Sequence, residues 1–248
     1  MPLYGAYLIR VMKENNLLFG RNPAVEALRG ERTIERVILQ DGATGSVGKI
    51  ISLAKERGVR IEYRTRQDLD KLAGGKNHQG VVVFTSSYEY KELDDLLDGE
   101  LLILLDGIED PHNLGAIMRT AECAGATGVV IPKRRSVGLT DTVAKTSAGA
   151  IEHLPCARVT NMANAIDKLK ENGFWICAAD MDGQELWSSD LGGKLAIVIG
   201  NEGSGVSRLV KEKCDFTVSI PMVGSINSLN ASNAAAILMY EVLRQKRK

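Results

Sequence analysis

The chain of 248 residues carries 31 Lys and Arg against 31 Asp and Glu, so its formal net charge at pH 7 is zero. This balance argues against a uniformly basic nucleic-acid-binding protein. Apolar runs such as "LLILLD" at 101–106 are far shorter than the roughly 18 to 20 residues that cross a bilayer. We therefore expect a soluble protein, and the length favours two domains over one.

The four cysteines and three histidines are too scattered to form a disulfide framework or a Cys-x-x-Cys metal site. We expect reduced thiols, a cytoplasmic location and no metal ion. The N-terminal "MPLYGAYLIRVMKENN" is a poor secretory signal because it lacks a small-residue cleavage pattern, although a mitochondrial transit peptide stays open.

The charge is unevenly divided along the chain. Residues 1–90 contain 14 Lys and Arg against 10 Asp and Glu, whereas residues 91–248 contain 17 against 21. A basic unit joined to a slightly acidic one fits an RNA-holding module attached to an enzyme, and it also fits chance.

The first part of the chain alternates helical and strand patterns, which predicts a small α/β/α sandwich. In the helix predicted over 22–30, Asn22 is the expected N-cap and Gly30 the stop. Helices are also predicted over 47–58 and 66–74, and strands over 35–40, 59–64 and 80–85. We place a first domain at 1–85, a polar linker at 86–99 and a second domain at 100–248.

The second part has continuous apolar strands separated by helices, which predicts a parallel sheet covered on both faces. Strands are expected at 101–106, 128–132, 174–179, 195–200 and 216–221, and helices near 114–124, 140–148, 163–173, 206–212 and from 231. Ligands of such sheets bind at the carboxyl ends of the strands.

Three loops at predicted strand ends are rich in polar and small residues: 106–125, 200–205 and 221–232. The second, "GNEGSG", fits neither the dinucleotide fingerprint nor a Walker loop, so NAD and ATP are disfavoured. Each loop also has a purely structural interpretation: a glycine turn, helix caps at Asn113 and at Asn230 or Ser232, and a solvated Arg119.

Three motifs, N-L-G-x-x-x-R-T at 113–120, I-G-N-E-G-x-G at 199–205 and I-P-M-x-G-x-x-x-S-L-N-x-S at 220–232, resemble the signatures of the SpoU, or TrmH-type, RNA ribose 2′-O-methyltransferases. The likeness covers about 101–245. "LLFGRNPAVEAL" (17–28) and "NHQGVVV" (77–83) are similar to that family's L30e-like RNA-binding domain. The two-domain form looks most like the bacterial 23S ribosomal RNA (guanosine-2′-O-)-methyltransferases.

The resemblance implies a SPOUT-type α/β domain with a deep trefoil knot, S-adenosylmethionine bound in the knot loops, and an active site shared across a homodimer. By motif, the residues implied to hold the cofactor are Gly200, Asn201, Ile220, Met222, Ser228 and Leu229. Those implied to serve catalysis are Asn113, Arg119, Glu202 and Asn230. The RNA-binding candidates are Arg21, Asn22, His78, Arg134 and Arg135, with Lys133 beside the last two; an ordinary solvated turn is the alternative for 132–136.

The family places Arg119 at the ribose hydroxyl as a base. A guanidinium group holds its proton too tightly for that role, so we favour an electrostatic clamp in which Arg119 stabilises the forming oxyanion, with Glu202 and Asn230 orienting it. Alternative functions are a tRNA ribose methyltransferase, an antibiotic-resistance methyltransferase acting on ribosomal RNA, and a non-catalytic RNA-binding or ribosome-assembly protein.

Overall fold

A computed structural model of the chain describes residues 17–30, 33–85, 88–225 and 228–247. These residues form two compact units. The first contains the described residues up to Glu89 together with Leu139–His153, and the second contains Tyr90–Gly138 and the residues from Leu154 onward.

The first unit is built on a four-stranded mixed sheet in the order β1-β4-β2-β3, in which only β2 and β3 are parallel. Its strands are β1 (Leu17–Phe19), β2 (Ile34–Gln40), β3 (Arg60–Arg64) and β4 (Val81–Thr85). Its first three helices are α1 (Arg21–Arg29), α2 (Val47–Glu56) and α3 (Arg66–Ala73). Every residue of β4 is buried, and apolar side chains of β1, β2 and α3 pack with it in one cluster.

The start of α1 differs from the prediction. Gly20 is the N-cap, with φ at 101°, and Asn22 lies in the first turn of the helix. A left-handed N-cap conformation is open to glycine, and the Arg21 backbone N–H donates to Gln79 Oε1 at 3.2 Å instead of to a capping side chain. The predicted C-terminal stop at Gly30 is confirmed.

The segment 139–153, which the sequence placed in the second domain, packs with the first unit. It contains α5 (Asp141–Thr146), which contacts β1, and a short 3-10 turn that contacts α1. Two polar contacts accompany this packing: Lys76 Nζ lies 3.1 Å from Asp141 Oδ2, and His153 Nε2 lies 2.8 Å from Glu26 Oε2. Local patterns carry no information about such long-range packing, so the sequence division followed chain order.

The second unit contains a six-stranded sheet in the order β10-β8-β9-β5-β6-β7, and all its pairings are parallel, as predicted. Its strands are β5 (Leu101–Asp106), β6 (Gly128–Pro132), β7 (Cys156–Val159), β8 (Trp175–Glu185), β9 (Leu195–Gly200) and β10 (Phe216–Ser219). Its helices are α4 (Pro111–Cys123), α6 (Met162–Glu171), α7 (Arg208–Lys213) and α8 (Ala231–Lys246).

Helices cover both faces of this sheet. Apolar residues of α6 and α7 share one cluster with alternate residues of β5, β8 and β9. Helix α8 contacts β9 and packs along α4, which contacts β6. Among the residues that the structure describes, no helix is both long and apolar enough to cross a membrane.

Strand β7 was missed in the sequence because it is only four residues long and contains Arg158. Its pairing with β6 completes the edge of the sheet. Strands β5 and β9 lie side by side in register until Asp106 pairs with Gly200. The loops that follow these two strands therefore leave the same edge as neighbours.

Candidate active site

Asn113 lies in the first turn of α4, next to the end of β5. It does not cap this helix, because Asp110 is the N-cap and accepts a hydrogen bond from the His112 backbone N–H at 2.9 Å. Pro111 occupies the first helical position, where its missing N–H costs nothing. Asn113 is buried, with 8% of its surface exposed, so its amide must find partners inside the protein.

Those partners come from the two other polar loops. Asn113 Nδ2 donates to Glu202 Oε1 at 3.0 Å, and Asn113 Oδ1 accepts from Asn230 Nδ2 at 3.0 Å. Asn230 Nδ2 also donates to Glu202 Oε1, and the Ala231 backbone N–H approaches the same oxygen at 3.3 Å. Three segments that lie 89 and 28 residues apart in the chain thus meet at one carboxylate.

Asn230 has two roles. As the N-cap of α8, its Oδ1 accepts from the backbone N–H groups of Ser232 and Asn233 at 2.9 and 3.4 Å. Its Nδ2 is directed to Asn113 and Glu202. The structural and functional interpretations of this asparagine are therefore compatible, since each uses a different atom of one amide.

The glycine-rich loop is a tight turn closed on itself. The Asn201 N–H donates to Gly205 O at 3.1 Å, and the Gly205 N–H donates back to Asn201 O at 2.8 Å. Asn201 Nδ2 ties the turn to the loop after β5 through Gly107 O at 2.9 Å. A Cβ atom at Gly200 would lie 2.1 Å from the carbonyl carbon of Gly205, so this position accepts only glycine.

The third loop has exposed groups without protein partners. Met222, Val223 and Leu229 expose 39, 104 and 36% of their surfaces, although all three are apolar. Within the described part of the loop, the backbone groups of 221–225 make no hydrogen bonds. Ile220 is half-buried and Ser228 exposed. Exposed apolar side chains and unpaired backbone groups can contact the base and sugar of a nucleoside, so these residues are compatible with a nucleoside cofactor.

The Arg119 side chain does not join this hydrogen-bonded cluster. It is exposed on α4, and its guanidinium group makes neither a hydrogen bond nor an ion pair with any other described residue. Six residues along a helix separate it from Asn113 by about 9 Å of axial rise. Of the four catalytic candidates, the structure thus brings together Asn113, Glu202 and Asn230, and it leaves the Arg119 guanidinium group without a partner in the described ranges.

The basic turn after β6, which contains Lys133, Arg134 and Arg135, leaves the same edge of the sheet. The Val137 N–H donates to Ile108 O at 3.0 Å, which connects this turn to the loop after β5. Arg158 Nη2 donates to Lys133 O at 3.1 Å. All three basic side chains of the turn are wholly or partly exposed.

Sequence reasoning missed Arg158 as a support for this turn. Its guanidinium group also lies 4.7 Å from the centroid of the Tyr90 ring, in cation–π geometry. No local signal links residues that are 25 and 68 positions apart, so only the pairing of β6 with β7 reveals the contact.

The RNA-binding candidates of the first unit differ in exposure. Asn22 is exposed and Arg21 is half-buried, whereas His78 is buried and uses both ring nitrogens within the protein. The Gly80 N–H donates to His78 Nδ1 at 2.9 Å, so Nε2 carries the proton and donates to Asp70 Oδ1 at 2.9 Å. His78 therefore supports the loop rather than offering a ring nitrogen to a ligand.

The cysteines, all four of them described, form no disulfide. Burial raises the pKa of the Cys156 and Cys177 thiols to about 12, so these are inert packing groups. No group of three His, Cys, Asp or Glu residues in the described ranges could hold a metal ion.

Comparison with known proteins covers both units. The sequence model of the SpoU rRNA Methylase family matches residues 100–240, and the model for RNA 2′-O ribose methyltransferase substrate binding matches residues 17–91.

Known relatives match nearly the whole chain. A Bacillus subtilis protein named as a TrmH family tRNA/rRNA methyltransferase is 47% identical over 243 residues, which cover 94% of this chain and 97% of the relative. A Staphylococcus saprophyticus protein of the same name is 46% identical over 242 residues, with the same coverage.

Solved structures share the fold. The SpoU methyltransferase AviRb from Streptomyces viridochromogenes superposes with a TM-score of 0.82 at 25% identity, covering 96% of this chain and 92% of that one. An rRNA methyltransferase from Sinorhizobium meliloti, solved with AdoMet bound, has a TM-score of 0.80 at 23% identity and covers 95% of this chain and 89% of that one.

Proposed function

Because this chain belongs to the SpoU family of S-adenosylmethionine-dependent RNA methyltransferases, we propose that it methylates a ribose 2′-hydroxyl of ribosomal RNA, on a guanosine of 23S rRNA. The observation that carries the proposal is the convergence of Asn113 and Asn230 on one carboxylate oxygen of Glu202. The three residues come from the three signature motifs, so the motifs that identify the family also build one site.

The cofactor site we propose is formed by the glycine turn and the loop before α8. Gly200 and Asn201 begin the turn whose shape the Asn201–Gly205 hydrogen bonds fix, and Ile220, Met222 and Leu229 supply apolar contacts for the adenine ring. Ser228 adds a hydroxyl at the same loop. S-adenosylmethionine supplies an electrophilic methyl group, so the protein has to align the reactants and control charge.

The 2′-hydroxyl is the difficult partner, because it is almost fully protonated at neutral pH. We propose that Arg119 binds the adjacent phosphate and stabilises the developing negative charge on the ribose oxygen. An exposed guanidinium group without partners in the described chain is available for this role.

The position of Glu202 suggests an indirect contribution. Its Oε1 is already shared by Asn113, Asn230 and the Ala231 N–H, so it holds the starts of α4 and α8 together. We propose that Glu202 shapes the reaction site, and that the substrate or a second protomer supplies the binding partner of the Arg119 side chain. The homodimer and the trefoil knot that the family resemblance implies remain part of this proposal.

RNA contacts are assigned to both units. In the second unit we propose Arg134 and Arg135, on the turn that the Val137–Ile108 contact holds beside the catalytic loop. In the first unit we propose Arg21 and Asn22, with His78 as their support. Transfer RNA is the alternative substrate, and the names of the relatives include both RNA classes.

Tritiated S-adenosylmethionine with separately purified 23S, 16S and transfer RNA tests the substrate. We expect label in 23S RNA, on the ribose of a guanosine after nuclease digestion. Label in transfer RNA alone would favour the alternative, and label on a base would overturn the assignment to a 2′-hydroxyl.

Arg119→Ala tests the catalytic assignment. We expect turnover to fall by at least about 10²-fold, the usual loss for one charge-stabilising group, while calorimetry shows cofactor binding unchanged.

A pH–rate profile separates the two possible roles of Arg119. If Arg119 is a base, the profile shows a titration that disappears in Arg119→Lys, whereas an electrostatic clamp leaves the shape of the profile unchanged. Near-normal turnover in Arg119→Ala would remove Arg119 from the mechanism. Failure of the wild type to bind S-adenosylmethionine would favour a non-catalytic RNA-binding protein.

A further inference from the structure

The first unit contains a concave polar cavity of about 760 Å³ at one edge of its sheet. The loops after β1, β2 and β3 and the loop before β4 form it, because the antiparallel β4 begins at the edge where β2 ends. This volume lies within the range of roughly 300–1,000 Å³ that is typical of small-ligand sites. The position of Arg21 in its wall places an RNA-binding candidate there.

The cavity presents amide groups that the protein does not use. Gln40 makes no side-chain hydrogen bond to any described residue. Asn77 and Gln79 use their oxygens, which accept from the Gln79 and Arg21 backbone N–H groups at 3.2 Å each. Their NH₂ groups have no partner among the described residues. Three carboxamides with available donors therefore line one concavity, and a carboxamide matches the hydrogen-bonding edge of a nucleobase.

The wall of the cavity is also cationic. Arg21, Arg66 and Lys76 line it, against a single carboxylate, Asp70, in the lining. Arg21 has no carboxylate partner in the described chain; its Nε and Nη1 donate to Gln79 O and Ser46 Oγ at 3.2 and 3.1 Å. These hydrogen bonds hold the guanidinium group at the rim, where it can meet a phosphate.

The floor is preorganised. The buried His78 ring is hydrogen-bonded through one nitrogen to Asp70 on α3 and through the other to the Gly80 N–H. It therefore fixes the loop before β4 to helix α3. Gln79 has φ at 49°, a left-handed conformation that is uncommon for a residue with a side chain. Two hydrogen bonds that Arg21 donates, from its backbone N–H to Gln79 Oε1 and from Nε to Gln79 O, help to maintain this conformation. A fixed floor lowers the entropic cost of binding.

We propose that this cavity binds one unpaired nucleotide of the RNA substrate, with its base against Gln40, Asn77 and Gln79 and its phosphate at Arg21 and Arg66. A paired nucleotide cannot enter, because its base edge is occupied and its base is stacked in the helix. The inference rests on the proposed function in that the ligand is RNA. It adds that the first unit selects a loop or bulge and not a duplex.

Binding of fluorescent RNA to the full-length protein, without cofactor, tests the proposal. The probes are a hairpin with an unpaired loop and a blunt duplex of the same stem. We expect Gln40→Ala to weaken binding of the hairpin about five- to tenfold, the effect of one or two lost hydrogen bonds, and to leave the duplex affinity within about twofold.

Arg66 and Arg60 form a matched pair for the phosphate contact. Their side chains expose 77% and 76% of their surfaces, and each faces a nearby carboxylate. Arg60 is the first residue of β3, whereas Arg66 follows the other end of that strand, and of the two only Arg66 lines the cavity. We expect Arg66→Ala to weaken hairpin binding about tenfold and to lower the salt slope by about 0.7. Arg60→Ala should leave the hairpin affinity and the salt slope unchanged within error.

The proposal is overturned if Gln40→Ala weakens hairpin and duplex binding equally, or if Arg66→Ala and Arg60→Ala behave alike. Competition by free mononucleotides without any effect of Gln40→Ala on hairpin RNA would also overturn it. These outcomes are distinct from failure of the proposed function, which would be seen as no binding of any RNA by the wild-type protein or no uptake of S-adenosylmethionine.

Discussion

Glu202 is exposed, yet the candidate active site is organised around one of its carboxylate oxygens. The buried Asn113 reaches that oxygen from α4, and Asn230 reaches it from the N-terminus of α8. A carboxylate is suited to this position because it accepts several hydrogen bonds and because its negative charge is stabilised at the N-termini of helices.

Asn113→Ala should measure how strongly this hydrogen-bond network contributes to stability and to methyl transfer. The substitution removes the group that donates to Glu202 and the oxygen that accepts from Asn230, so we expect the free energy of unfolding to fall by about 1–3 kcal/mol in chemical denaturation. Methyl transfer should fall as well, because the starts of α4 and α8 lose their shared contact. Fluorescence-monitored urea titration of the wild type and of Asn113→Ala measures the change in the free energy of unfolding.

Asn172→Ala is the control for that substitution. Asn172 also donates one side-chain hydrogen bond, to Lys168 O at 2.8 Å, but it is exposed at the end of α6. Its replacement should change the free energy of unfolding by less than about 0.5 kcal/mol. Equal losses in the free energy of unfolding for Asn113→Ala and Asn172→Ala would show that the buried network stabilises the protein no more than an exposed hydrogen bond does.

At the scale of elements, the glycine turn depends on close approach of backbone to backbone. Residues 201 and 205 exchange two hydrogen bonds, and this brings the Gly205 carbonyl carbon to within 2.1 Å of where a Cβ of residue 200 would lie. The requirement for glycine at position 200 is thus steric, and its φ is not in the left-handed region.

Gly200→Ala is therefore expected to open the turn and abolish S-adenosylmethionine binding, as measured by isothermal titration calorimetry. Gly203→Ala, in the same turn, is the matched control, because its Cβ would meet Asn201 Oδ1 at 3.4 Å, which is ordinary contact. We expect that variant to bind the cofactor within a few-fold of wild type. Retained binding in Gly200→Ala would contradict the proposed place of the cofactor.

The elements show where sequence patterns succeed. Long apolar runs such as 101–106 and 195–200 were identified as strands with boundaries that the structure confirms. Helix starts were less reliable: α1 begins at Arg21 because Gly20 turns the chain, and α4 is capped by Asp110. Capping depends on backbone conformation, which a list of polar residues does not specify.

At the scale of the whole molecule, the chain leaves its second unit and returns to it. Residues 139–153 pack with the first unit, where Val143 of α5 is fully buried. The first unit thus includes a segment that lies about 50 residues beyond the end of its own matched family region at residue 91.

Val143→Ala should destabilise the first unit selectively. We expect a loss of about 1–2 kcal/mol and faster hydrogen exchange in β1, which α5 contacts, with β5 and β9 unaffected. Val206→Ala, which removes the same atoms from the apolar cluster of the second unit, should give the opposite pattern. Identical exchange patterns for the two variants would mean that 139–153 does not belong to the first unit.

The sequence by itself determined the fold class, the parallel sheet, the family and the three loops, because apolar periodicity and motif spacing are local properties that each segment carries in its own residues. The tertiary structure decided which motif residues meet: it joined Asn113, Glu202 and Asn230 and left Arg119 separate. It also decided the support of the basic turn by Arg158, the burial of His78 and the cavity beside Arg21. These features depend on contacts between residues far apart in the chain, and such contacts form only when the strands pair and the helices pack.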